Sequence, residues 1–420
     1  MFFEKIKLPN GVRIILVPDK NVNSVTVLGL VRVGSRNETE KNNGVSHFLE
    51  HMVFKGTEKR KTPLEVVEVL DKIGGDYNAF TDKEITGYYA KVDKPHIETA
   101  VDWVSDLIIN PLFRKEDFER EKGVILEEIK MYLDTPMRFI TDLWEKLLYG
   151  EQPLGRLTLG KEEIIKKMKV EELVGYYQKN YSSENLVVAV SGNFKKEKTK
   201  ELAKKYFSRI GSGKMNNSNP VKEKQKKPKL LINFKETDQT HFCLGAKAYD
   251  LFHKDRYITD VMSVILGGNM SSRLFSEVRE KRGLAYYVKT TTSKYLDSGN
   301  LFTQAGVAHK NLEKTAKIIL ENYKKLKEKD VPDSELRKAK EYIKGISNIG
   351  LESTDARALF FGTQEVLMNK IVSLEERFKK IDKVSKMDIK RVANDIFRPE
   401  KLNLAIIGPH KSKKVSFLKI

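Results

Sequence analysis

The chain has 420 residues, more than one ordinary hydrophobic core usually serves, so two domains are expected. A hydrophobic fraction of 40% beside 32% charged residues excludes a disordered or fibrous chain, and no apolar run reaches the roughly 18 residues of a membrane-spanning helix. Lys and Arg number 77 against 58 Asp and Glu, a net charge of +19 that leaves a nucleic-acid partner to be tested against the motifs.

The opening stretch MFFEKIKLPNGVRIILVPD meets a charge every few residues and forms no signal-peptide apolar region. The single cysteine, Cys243, rules out an internal disulfide, and with that opening stretch it leads to the expectation of a cytoplasmic protein. Apolar runs at 12–17 and 24–33 read as strands. The next stretch, NNGVSHFLEHMVFKGT at 42–57, reads as a helix: Val45, Phe48, Leu49, Met52 and Val53 repeat at i, i+3, i+4, i+7 and i+8. Asn42 or Asn43 is the expected cap and Gly56 the expected stop. Two β-type runs, 75–80 and 85–92, flank the turn-like Thr81-Asp82-Lys83-Glu84 as in a hairpin.

Further on, residues 115–134 read as a helix with Phe118, Ile125, Ile129 and Tyr132 on its apolar stripe. A strand at 186–191 follows. The segment 211–229, GSGKMNNSNPVKEKQKKPK, has Gly, Ser, Asn and Pro punctuation and no apolar period, so it reads as a solvated linker. It divides the chain into domains 1–210 and 230–420.

The second part repeats the first. Leu28-Gly29, Thr99-Ala100 and the segment from Tyr181 recur as Leu244-Gly245, Thr315-Ala316 and the segment from Phe397, each 216 residues on. Strand-like runs at 229–234, 241–248 and 402–407 complete the pattern. The fold class is therefore α+β: two homologous domains, each a mainly antiparallel sheet with helices over one face, joined by a linker.

Four polar residues share the side of the 42–57 helix away from its stripe: Ser46, His47, Glu50 and His51. Two imidazoles at i and i+4 on one helical face can reach a single metal ion, with a carboxylate at i+3 beside them. A zinc site that does chemistry usually takes three protein ligands. Glu121 and Glu128, two turns apart, flank one edge of the apolar stripe of the 115–134 helix, where a carboxylate is costly unless a cation meets it. Glu127 points to the far side as an ordinary solvated acid. Glu128 is taken as the third ligand and Glu121 as a supporting acid. At the 216 offset, His47, Glu50, His51, Glu121 and Glu128 become Ser263, Leu266, Gly267, Arg337 and Lys344, so one Zn2+ per chain is expected.

His47-Phe48-Leu49-Glu50-His51 followed by Glu128 resembles the inverted-zinc-motif peptidases of the pitrilysin/insulinase family, M16, and HFLEHMVFKGT resembles its mitochondrial-processing-peptidase branch. The resemblance spans nearly the whole chain. It implies that His47, His51 and Glu128 bind zinc, that Glu121 supports the site, and that Glu50 is the general base toward a water activated by the metal. It implies that Asn78, Ala79, Phe80 and Thr81 form an edge strand to which an extended substrate adds, with Asn78 near the scissile group. It further implies that Arg279 and Tyr286 reach substrate carbonyls and help stabilise the transition state, and that Gly267-Gly268 belongs to a glycine-rich loop.

In this family four such domains make a clamshell around a closed chamber. A chain with two domains is half of one, and the expected partner is a second copy, with Arg279 and Tyr286 acting in trans, or a related zinc-less subunit. The expected substrates are peptides and unfolded segments. A non-catalytic scaffold subunit is a competing reading, but such chains lose ligands and none is lost here. No phosphate-cradling glycine loop, zinc-finger spacing or aromatic-basic motif supports a nucleic-acid partner. Part of the positive charge sits in the linker and in KSKK at 411–414; the rest is expected to favour acidic peptides.

Overall fold

The computed structural model describes residues 2–411, so KSKK lies outside the described residues apart from Lys411. Six strands form the first sheet: β1 (Glu4–Lys7), β2 (Arg13–Pro18), β3 (Ser24–Val31), β4 (Asp76–Thr81), β5 (Thr86–Asp93) and β6 (Leu186–Gly192), in the order β1-β2-β6-β3-β5-β4. Five form the second: β7 (Lys229–Phe234), β8 (Thr240–Ala248), β9 (Ala285–Lys294), β10 (Gly299–Val307) and β11 (Leu402–Gly408), in the order β7-β11-β8-β10-β9. Each sheet has one parallel pair, β2 with β6 and β11 with β7, and is otherwise antiparallel. Among the described residues no helix is long and apolar enough to cross a membrane.

The central strands carry unbroken apolar runs because both of their faces are covered. In β3, neighbouring residues look in opposite directions. Gly29 lies under Val104 and Ile108 of the Ile97–Ile109 helix, so close that a Cβ would fall 2.3 Å from Ile108. Leu28 and Leu30 face the other way and share a cluster with Ala358, Phe361 and Val366 of the Thr354–Met368 helix. The sheet is thus buried on both faces, where the sequence pattern led to helices over one.

The second cover comes from the far part of the chain. The molecule divides into two compact units, neither contiguous in sequence: residues 1–130, 156–219 and 348–373 make one, and 131–155, 220–347 and 374–420 make the other. The contiguous division into 1–210 and 230–420 therefore differs from the packing by one helix in each direction. Thr354–Met368 lies on β2, β3 and β6, whereas Pro136–Tyr149 lies on β7, β8 and β11. Gly362 permits the first approach, since a Cβ there would come within 2.7 Å of Leu30.

Polar contacts fix each exchanged helix. Glu365 is fully buried, with its Oε1 2.7 Å from Lys5 Nζ and 3.3 Å from Arg13 NH1. Thr354 and Thr26 share a hydrogen bond of 2.8 Å between hydroxyls. In the second unit, Trp144 Nε1 donates to Asn300 Oδ1 and its ring lies 5.4 Å from that of Phe302.

The segment 211–229 has no helix or strand before Lys229, and its first part is tied along the first unit instead of running free in solvent. Asn216 Nδ2 donates to the Arg32 carbonyl, while Asn185 Nδ2 donates to that of Lys214. The passage from one unit to the next falls at 219–220, inside it.

Candidate metal centre

The motif helix runs Val45–Val53. Its apolar side is buried, and Phe48 stacks on Phe118 at 4.4 Å with the rings 7° from parallel. Phe118 belongs to the Lys115–Leu133 helix, so this contact sets the register between the helix bearing the imidazoles and the helix bearing the carboxylates.

The start of the motif helix is capped in a way the local sequence does not show. The expected Asn42 or Asn43 is not the cap: Asn43 turns its amide to Glu38 and the Leu157 carbonyl. Gly44, at φ 98°, turns the chain into the helix, and the Glu38 carboxylate accepts from Gly44 N at 2.7 Å and Ser46 N at 2.8 Å. An anion at a helix N-terminus also suits the helix dipole. Burial nevertheless outweighs these donors and pushes the Glu38 carboxyl up to about 7 from 4.5.

A raised carboxyl pKa means that the folded state keeps its proton where the unfolded chain has released it. The contribution of Glu38 to stability is complete below 4.5 and is lost as pH rises through about 7. Glu38→Gln should flatten the fall in stability across that window, as read by urea melts at stepped pH. An unchanged slope would assign the titration to other groups.

His47 Nε2, His51 Nε2 and Glu128 Oε2 come together. The His–His separation is 3.3 Å, His51 to Glu128 is 3.3 Å, and His47 to Glu128 is 3.6 Å. Ligands about 2.0–2.1 Å from a tetrahedral zinc ion stand roughly 3.4 Å apart, so the triangle has the size of one face of such a site. Among the described residues these three form the one group of His, Cys, Asp or Glu side chains that converges in this way.

The protonation pattern also suits a cation. Burial, and then the neighbouring His51, lower His47 to about 4, which keeps its imidazole neutral. Burial works against charge on His51 too, but hydrogen bonds to Glu121 and Glu128 prevail and lift it to about 9. Without a metal, a proton thus stands among donor atoms where a metal ion would replace it.

Glu121 is buried and takes His51 Nδ1 at 2.9 Å on Oε1; its Oε2 lies 2.6 Å from Lys55 Nζ. A carboxylate in this place fixes the orientation of an imidazole, as outer carboxylates do at metal sites. Lys55 is not among the residues expected at the site, and its one signal in the sequence is its place one turn after His51. Glu127 is exposed and paired with Lys130.

Glu50 stands apart from the triangle, and its Oε2 accepts from Thr81 Oγ1 at 2.5 Å. Burial raises its carboxyl above the ordinary value, with Glu128 adding to the shift and Thr81 and His51 opposing it. Thr81 ends the edge strand β4. The bond from Asp82 N to the Ile85 carbonyl sets the ladder's alternation, which turns the backbone groups of Tyr77, Ala79 and Thr81 toward the open edge. Asn78 is exposed on the face of the strand opposite Thr81, and its Oδ1 accepts from Ala79 N at 2.8 Å. Phe80, also on that face, lies over Gly87 and packs with the cluster that contains Phe361. Of these four residues, Thr81 is the one whose side chain hydrogen-bonds to the motif.

Arg279 and Tyr286 belong to the other unit and meet each other. Arg279 is the last residue but one of the π-helical turn Phe275–Glu280, and its guanidinium lies 4.9 Å from the Phe275 ring and 5.2 Å from that of Tyr286. Tyr286 is 76% exposed. Gly267 is the last residue of the Arg256–Gly267 helix, packed so closely on Thr290 that a Cβ would fall 2.5 Å from its hydroxyl.

Two family models match the sequence: the insulinase domain of peptidase family M16 over residues 13–162, and the M16 inactive domain over 167–343. An uncharacterised zinc protease of Bacillus subtilis is 38% identical over 400 residues, which are 95% of this chain and 97% of that protein. This chain belongs to the M16 peptidase family. A second uncharacterised zinc protease of the family, from Streptomyces coelicolor, is 34% identical over 98% of this chain and 90% of its own length. Among solved structures, a protease from Helicobacter pylori matches with a TM-score of 0.90 and 25% identity, covering 97% of this chain and 99% of that one. A chain of complex III from Candida albicans has the same fold, with a TM-score of 0.84 at 18% identity over 97% of this chain and 96% of its own. M16 relatives named as zinc proteases support a metalloprotease here, and the inactive-domain model covers the stretch where Ser263, Leu266, Gly267 and Arg337 stand at the positions of His47, Glu50, His51 and Glu121.

Proposed function

We propose that this chain is a zinc-dependent metalloendopeptidase that cleaves peptides and unfolded polypeptide segments. The observation that carries the reading is the triangle of His47, His51 and Glu128 donor atoms with Glu50 beside it. Zinc held by these three residues supplies Lewis acidity toward water and the peptide carbonyl. The protein does the rest. Glu121 holds His51 in the tautomer that leaves Nε2 to the metal, and Lys55 holds Glu121. Glu50, with Oε2 engaged by Thr81, takes the proton from the attacking water on Oε1 and passes it to the leaving amine. The edge-facing carbonyls of Tyr77, Ala79 and Thr81 and the N–H groups of Tyr77 and Thr81 suit an extended substrate adding to β4 as one more strand, while the Ala79 N–H is held by Asn78 Oδ1.

The site binds one Zn2+ per chain and works in a dimeric chamber in the cytoplasm. The partner is a second copy, with Arg279 and Tyr286 of one protomer serving the site of the other. The heterodimer with a zinc-less relative is the second reading, supported by family resemblance. The excess of basic residues favours acidic peptides. No membrane or nucleic acid takes part.

Metal analysis combined with cleavage of an unfolded peptide library, at known oligomeric state, tests the reading. One zinc per chain is expected, with cleavage lost on chelation and regained on adding zinc. A dimer that holds no zinc and cleaves nothing overturns it.

A further inference from the structure

We propose that Thr81 is the positioning residue of the general base: its hydroxyl fixes the Glu50 carboxylate and ties it to the strand edge on which the peptide lies. The inference rests on the peptidase reading and goes beyond it by giving Thr81 a task that its backbone alone does not perform.

Three observations carry it. First, the Thr81 hydroxyl donates to Glu50 Oε2 at 2.5 Å, the short contact expected of a hydroxyl on a charged acceptor. The terminal torsion of a glutamate is soft, so a carboxylate without a fixed partner samples a broad range of orientations. A single donor on one oxygen selects an orientation and leaves the other oxygen for the water.

Second, Thr81 itself is held. Tyr77, four residues earlier on the same face, rests on Trp103 at 5.4 Å; Phe80 lies over Gly87; and Asp82 N closes the turn on the Ile85 carbonyl. A donor anchored on both sides transmits its position to the group it holds.

Third, the backbone of Thr81 faces the open edge of β4. One residue therefore borders the incoming strand with its main chain and the base with its side chain. Any shift of the edge as a peptide docks moves the hydroxyl that orients Glu50, so the base is aligned together with the strand it serves.

Two variants separate this role from a merely structural one. Thr81→Val keeps the shape and removes the hydroxyl; Thr81→Ser keeps the hydroxyl. Each is assayed with wild type for kcat and KM on one unstructured peptide, and for zinc affinity by chelator competition. Thr81→Val should lose about 10- to 100-fold in kcat, the usual effect of misplacing a reacting group. KM and zinc affinity should stay within about threefold of wild type, and Thr81→Ser should regain kcat to within about threefold. Wild-type kcat in Thr81→Val overturns the proposal, as does a loss that serine does not rescue or that follows zinc affinity; in each of these cases an active wild type leaves the peptidase reading standing. A wild type that binds no zinc and cleaves nothing overturns both.

Discussion

Glu50→Gln should bind zinc as wild type does and lose turnover by about 10²–10⁴-fold, the range that a positioned general base supplies. Glu50 lies outside the His47, His51 and Glu128 triangle, so its charge is not part of the ligand set. Glutamine has the same shape, and its amide oxygen can still accept from Thr81, so the edge strand keeps its anchor. What is lost is a group that takes up a proton. Burial already lifts the Glu50 carboxyl above its ordinary value, in the direction that makes it a better base. Metal content by mass spectrometry and hydrolysis of a fluorogenic peptide are read on the same preparation. A zinc-loaded, fully active Glu50→Gln would falsify the role.

A fragment comprising residues 1–210 should fail to fold, although it contains His47, His51, Glu128 and the whole of the first sheet. It lacks the Thr354–Met368 helix, which covers Ile15, Leu28, Leu30, Val187 and Ala189. Losing one buried Phe such as Phe361 typically costs about 3–5 kcal/mol, and the fragment loses Ala358 and Val366 with it. Arg13 would also lose Glu365, and a buried charge without its partner costs about 3–5 kcal/mol more. Each is a large part of the 5–15 kcal/mol that an ordinary domain has to lose. Expression of 1–210 should give insoluble or molten protein by far-UV circular dichroism and limited proteolysis. Joining residues 348–373 to it should restore a cooperative melt. A soluble, cooperatively melting 1–210 would show that the exchanged helix is dispensable.

The same helix marks where the sequence stopped being legible. The 216-residue offset places β2, β3 and β6 opposite β7, β8 and β11, because paired strands keep their apolar runs in register. It also makes Pro136–Tyr149 and Thr354–Met368 counterparts. A periodicity says which side of a helix is apolar and nothing about which sheet receives it, so the exchange has no local trace.

The clustering of the candidate metal residues is legible for a related reason. His47, Glu50 and His51 sit on one helix, where spacing fixes geometry, and the packed edge of the Lys115–Leu133 helix singles out Glu121 and Glu128. Glu38 is different. It caps the motif helix from outside the last turn before it, and local capping rules favour Asn42 or Asn43. Arg279 and Tyr286 look like a solvated charge and a strand aromatic until a known family supplies a reason to look. Asn78 shows the limit of that help, since its side chain stands on the face of β4 away from Thr81.

The duplicated half carries Arg337 and Lys344 at the positions of Glu121 and Glu128, on the helix Asp333–Gly350. Lys344 is engaged with Glu341 and Asp382. The change is a reversal of sign, beyond a simple loss of donors. Two unit charges 4 Å apart interact by about 4 kcal/mol near a protein surface, so a cation approaching such a pair is repelled where the first half attracts it. Restoring Ser263 and Gly267 to histidine would leave that repulsion in place, and reverting either basic residue alone would still leave one. Giving the second half the donor set of the first would therefore take several substitutions together, and no single one of them would supply it.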